Sequence, residues 1–158
     1  VRSARQTVAK SIREAKAEGS RTAFLCHSHH DKTLVQGLEV LFQDTGWNVY
    51  IDWQDPLMPS APTVDTARRI RDKVAQADFF VVLATANALQ SRWCPWEIGI
   101  ADGLKPHDSI LIIPTTSGGV TTGNEYIELY RSIDFSTGGW LGVWPPGQTS
   151  GGQRLSDI

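Results

Sequence analysis

From Thr22 onward, short apolar runs alternate with stretches in which apolar residues return every three or four positions. The runs read as buried strands and the longer spacing as amphipathic helices. Thr22 to Cys26, Trp47 to Ile51, Phe79 to Ala84 and Ile110 to Ile113 predict four strands, and Leu141 to Trp144 predicts a fifth. Leu34, Leu38, Leu41 and Phe42 predict a helix that Gly46 stops. Ala67, Ile70, Val74 and Ala77 predict another, with Arg68, Arg69, Arg71 and Lys73 mostly outside. A loop from Thr85 to Cys94 leads into a third helix starting near Pro95, since proline suits a first helical turn. A short helical piece is expected around Glu125 to Tyr130. Ahead of the repeat, Ala4, Val8, Ile12 and Ala15 mark a weakly amphipathic helix with too few large apolar side chains to belong to the core.

Strands alternating with helices imply an α/β domain: a flavodoxin-like, doubly wound parallel sheet of about five strands in the order 2-1-3-4-5, with helices on both faces. Phe79 to Ala84, apolar throughout, suits a strand covered on both sides. Ligands in such folds bind beyond the carboxyl ends of the strands, where the strand order reverses. The loops His27 to Asp31, Asp52 to Pro62 and Asn87 to Glu97 therefore share the edge where function is expected. The predicted division is an N-terminal helix and linker over residues 1–20, the main domain over 21–144, and a flexible Gly/Pro/Gln/Ser-rich tail over 145–158.

Composition narrows the partners. The 158 residues carry 15 basic and 17 acidic side chains, which gives no cationic field for gripping nucleic acid. The longest apolar run, Phe79 to Ala84, falls far short of the roughly 18 residues a membrane-spanning helix needs. Two cysteines cannot make a disulfide framework, and no secretory signal is visible, so a cytoplasmic domain is expected. The chain begins at Val1 and reads as a piece of a longer protein.

The candidate chemistry sits in the three loops. Ser91-Arg-Trp-Cys-Pro-Trp-Glu97 sets a carboxylate near a helix start beside two indoles. Trp93 and Glu97 share a face if that helix begins early, and are less surely paired if it begins at Pro95. A glutamate there can also simply complement the helix dipole. Cys26-His-Ser-His-His-Asp31 gathers three imidazoles and a carboxylate, but contiguous side chains on a tight loop diverge, so no metal site is expected. Cys26 closes an apolar strand and reads as a small buried hydrophobe rather than a nucleophile. Gly118, Gly119 and Gly123 fit no phosphate-binding spacing. Trp53, Leu57 and Met58 in the proline-rich loop suggest a lid, a contact surface or a loop folded on the core.

In their order these pieces resemble a bacterial Toll/interleukin receptor (TIR) domain. Residues 23–32 resemble that family's first strand and loop, Asn48 to Asp52 its second strand, and Asp52 to Pro62 its BB loop. Ser91 to Glu97 is similar to its Ser-x-Trp-Cys-x-x-Glu segment, read as W-x-x-x-E in enzymatic members. The resemblance implies NAD as substrate, with no cofactor, cleaved at the nicotinamide bond to ADP-ribose or a cyclic product. It implies Glu97 as the catalytic carboxylate and Trp93 beside the nicotinamide ribose, with His27, Ser28, His29, Trp53 and Ser91 lining the pocket. It further implies a homo-oligomer or filament through the BB loop, a fused or partner sensor or effector domain, and a role in antiphage defence. The other reading is a non-catalytic self-association scaffold.

Overall fold

The structure is a computed structural model that describes residues 11–55, 57–58 and 61–158. Ala4 and Val8 of the predicted first helix lie outside the described residues. Among the described residues eight strands form, β1 (Arg21–Cys26), β2 (Trp47–Tyr50), β3 (Phe79–Ala84), β4 (Ile110–Ser117), β5 (Val120–Thr122), β6 (Arg131–Phe135), β7 (Leu141–Trp144) and β8 (Gln153–Arg154). The α-helices described with them are α1 (Ile12–Ala17), α2 (Lys32–Asp44), α3 (Val64–Gln76), α4 (Ala86–Gln90), α5 (Trp93–Leu104) and α6 (Asn124–Ile127).

The sheet runs β2-β1-β3-β4-β6-β7-β8, with β5 folded back on β4 as a hairpin. Its parallel part, β2-β1-β3-β4-β6, has the expected doubly wound order. Successive side chains of a strand point to opposite faces, and the core divides accordingly. Phe24, Cys26, Phe80, Val82, Ile110 and Ile112 face α3 and α5 through Ile70, Val74, Cys94 and Ile98. Ala23, Leu25, Val81, Leu83 and Leu111 face α2 and the C-terminal segment through Val35, Phe42 and Leu155.

Several elements depart from expectation. The fifth parallel strand is β6, and the predicted strand at Leu141 to Trp144 is instead β7, antiparallel to it. Only Ile133 of β6 is buried, so this strand carries no apolar run to announce it. Residues 145–158, expected as a flexible tail, are docked: Leu155 is fully buried, its carbonyl accepts from Trp47 Nε1 at 3.1 Å, and Arg21 Nε donates to the Ile158 carbonyl at 2.8 Å. The first helix joins the core after all, because Ile12 and Ala15 are buried on its inner face. On α2 the buried stripe is Val35 and Phe42, with Leu38 partly covered, while Leu34 and Leu41 are exposed. The helix expected to start near Pro95 starts at Trp93, and the loop before it contains α4.

Candidate active site

A cavity of about 290 Å³ opens beyond the carboxyl ends of β1, β2 and β3, where β1 lies between the two others and the winding reverses. Three loops build it.

The loop after β3 supplies the carboxylate. The Ser91 hydroxyl accepts from Trp93 N at 3.1 Å and Cys94 N at 3.5 Å, so it satisfies the orphan donors that open α5. Pro95, in the first turn, forfeits no hydrogen bond there. With the helix begun at Trp93, Trp93 and Glu97 stand one turn apart, and both line the cavity with Ser91. Trp93 is partly exposed and packs edge-on against Trp96, with ring centroids 5.2 Å apart. Glu97 is only 6% exposed. Burial pushes its carboxyl well above the ordinary range; a hydrogen bond from the Cys26 thiol opposes this, and Cys94 and Asp52 make smaller contributions upward. No cation figures among the described groups that act on it.

The loop after β1 supplies imidazoles. Asp31 is buried and accepts from the Thr85 hydroxyl and from Asn87 Nδ2 at 3.0 Å, which ties this loop to the one after β3. His27 is buried, with Nδ1 2.9 Å from the Leu25 carbonyl, and burial holds its pKa below the ordinary 6.5. Its Nε2 has no protein hydrogen-bond partner. Ser28 does not line this cavity; its hydroxyl accepts from His30 N at 3.2 Å, and it borders an adjoining recess with Asn87 and Gln90. His29 and Ser91 border both spaces.

The loop after β2 closes the third side. Asp52 lies between the two imidazoles, Oδ1 3.6 Å from His27 Nε2 and Oδ2 3.6 Å from His29 Nε2. Trp53 meets His27 edge to face at 4.9 Å, with Lys32 over its indole at 5.4 Å. Asp55 accepts from Tyr50 Oη at 2.6 Å and from Arg69 Nε and Nη2 at 2.8 Å each, pinning the loop to α3. Burial alone would raise the Asp55 pKa, but these bonds and the Leu57 amide hold it below the ordinary value. Met58 packs against the core from this loop, whereas Leu57 is exposed.

Six of the seven predicted site residues thus line one cavity, and Ser28 lies beside it. The reading by residue pattern missed Asp52 and Asp55 as cavity groups, although both follow a buried strand at the functional edge. Cys26 and Cys94 are free and buried beneath Glu97, consistent with Cys26 as a core residue. Among the described residues no three His, Cys, Asp or Glu side chains converge as a metal site, and no helix is long and apolar enough to cross a membrane.

Comparison with known proteins is consistent with this geometry. Residues 23–141 match the family described as TIR domain. A protein of Bacillus cereus (strain MSX-D12), described as a probable 3' cyclic ADP-D-ribose synthase ThsB', is 31% identical over 113 residues, which is 70% of this chain and 58% of that one. The chain therefore spans less than two thirds of that relative's length. A solved CMP N-glycosidase of Clostridium botulinum, BcmB, is 18% identical with a TM-score of 0.43, covering 59% of this chain and 71% of its own. That likeness is too loose to bear on chemistry.

Proposed function

The chain belongs to the TIR domain family, and on that premise we propose that it cleaves NAD at the bond between nicotinamide and ribose. The reading rests on one observation above the rest: Glu97 is a buried acid on the cavity wall, one helical turn from a partly exposed indole, with no cation beside it among the described residues. Leaving such a charge unpaired costs stability, and a purely structural role would favour a partner.

The chemistry asks little else of the protein. Nicotinamide departs as a neutral molecule because the dinucleotide holds it as a pyridinium, so no strong acid is needed. Positive charge develops on the ribose, and a fixed carboxylate in a water-poor site stabilises it. Trp93 offers an indole face for the nicotinamide ring. A cavity of about 290 Å³ is at the small end for ligand pockets, so it suits the nicotinamide riboside half and leaves the remainder of the dinucleotide to extend over the rim. The 31% identical relative is described as a probable cyclic ADP-ribose synthase, which favours a cyclic product here alongside hydrolysis. The accompanying biological reading is antiphage defence, by NAD loss or by a nucleotide signal, and self-association through the loop after β2 is part of the same proposal.

The deciding experiment incubates concentrated protein with NAD, beside Glu97→Ala, and separates nicotinamide, ADP-ribose and cyclic products by chromatography. Nicotinamide release that requires Glu97 is the expected result. Release by neither protein, even as the full-length chain under crowding, would point to the scaffold reading instead.

A further inference from the structure

The NAD-cleaving reading, on which the role of His27 argued below depends, leaves one proton unassigned. When the carbon–nitrogen bond breaks, its electron pair leaves with nicotinamide. The hydroxyl that then attacks the ribose carbon forms a carbon–oxygen bond and must lose its hydrogen. Glu97 is committed to the positive charge on the sugar, so the cavity needs a second basic atom.

His27 presents one. Its Nδ1 faces the Leu25 carbonyl at 2.9 Å, and a carbonyl can only accept, so Nδ1 carries the proton. Burial lowers the pKa of the ring and so favours its neutral form, in which Nε2 is a bare lone pair. That atom is fully buried without a protein partner and looks at Asp52 Oδ1 across 3.6 Å. Two acceptors facing one another are uncomfortable, and what reconciles them is an O–H or N–H donor from outside the protein. Trp53 holds the imidazole edge-on at 4.9 Å, and the Trp53 amide fixes Asp52 Oδ1 at 2.8 Å, so neither acceptor is free to turn away.

We propose that His27 Nε2 takes the proton of the attacking hydroxyl, whether that hydroxyl belongs to water or to a ribose of the same dinucleotide. The oxygen–hydrogen bond breaks as the carbon–oxygen bond forms, and the imidazolium is held between the Leu25 carbonyl and the Asp52 carboxylate. His29, 66% exposed in its side chain and 3.6 Å from the other oxygen of Asp52, gives the proton a route to solvent. The three loop residues His27, Asp52 and His29 then act as one relay, for which no resident metal is invoked.

A neutral pyridine acceptor separates this role from substrate positioning, because its nitrogen attacks without a proton to lose. Protein is incubated with NAD and 3-acetylpyridine, and the yield of hydroxyl products, linear plus cyclic, is divided by the yield of exchanged dinucleotide. The linear and cyclic products distinguish water from sugar as the hydroxyl source. His27→Gln is expected to lower that ratio about 10²-fold, the ordinary contribution of a general base. Asp52→Asn, nearly isosteric, places an amide donor against Nε2 and is expected to lower it in the same direction if His27→Gln does not fold. A ratio unchanged in a folded variant, with all products falling together or none falling, would overturn the relay while leaving the NAD-cleaving reading intact. Wild-type protein that forms no product from NAD at all would remove both.

Discussion

Asp55 and Glu97 line the same cavity, and burial works against the charge of each, yet their pKa values move in opposite directions. Asp55 sits on the loop after β2, where the Arg69 guanidinium and the Tyr50 hydroxyl hold it as a carboxylate. Its role is that of a latch between loop and helix α3. Glu97 sits on α5, where the neighbours are Cys26, Cys94 and Asp52, none of them cationic. A paired buried acid fixes structure. An unpaired one is costly to ionise, and a cationic species entering the cavity, such as a ribosyl cation, relieves that cost.

The largest expected effect comes from removing the unpaired acid. Glu97→Gln should slow nicotinamide release by about 10²- to 10³-fold while leaving the far-ultraviolet circular dichroism unchanged. Equal turnover in a folded variant would mean that Glu97 is no more than a buried polar residue. The latch should answer differently. Arg69→Met leaves the half-buried Asp55 without its cation, and urea unfolding should report a loss of about 2 kcal/mol. Turnover should suffer mainly through a weaker KM, because the loop that carries Asp52 and Trp53 loses its anchor.

The pH dependence of stability sharpens the contrast further, since the two acids have opposite signs. The Glu97 pKa is raised on folding, so its penalty is absent below the ordinary carboxyl range and grows as pH rises through the folded value. Glu97→Gln should therefore be more stable than wild type at neutral pH, by on the order of 1 kcal/mol or a few degrees in Tm. That advantage should vanish in acid. The Asp55 pKa is lowered, so its contribution is present above the unfolded value and is lost as pH falls through the folded one. Urea midpoints tracked from neutral pH into acid, in wild type and Glu97→Gln, check both signs. A gain that persisted at low pH would assign the Glu97→Gln effect to packing rather than to charge. The smallest expected effect is that of Ser91→Ala, which removes the hydroxyl opening α5 and should cost about 1 kcal/mol. A modest fall in turnover should accompany it as Glu97 loses some of its fixation, and an unchanged Tm would show that the cap is dispensable.

Much of the site is legible in the sequence. Trp93 and Glu97 are four positions apart, and that spacing puts them on one face once the helix contains both. His27 and His29 leave a strand at the functional edge, and both reach the cavity. What the spacing left open was where α5 begins, which the Ser91 hydroxyl decides by bonding two amides ahead of Pro95. Ser28 illustrates the limit of reasoning by position, since its neighbours on either side face the cavity while its own hydroxyl turns to His30 N.

Local patterning placed the parallel strands with strong apolar runs and the carboxylate on its helix. These rest on periods of two and 3.6 residues, which are written locally. Tertiary structure alone decided that polar β6 completes the parallel sheet, that Leu155 docks the last segment under Trp47, and that Val35 rather than Leu34 faces inward on α2. It also decided which of two cavity acids meets a cation. Each of these depends on what a distant element places opposite, because burial and charge pairing are properties of neighbours in space.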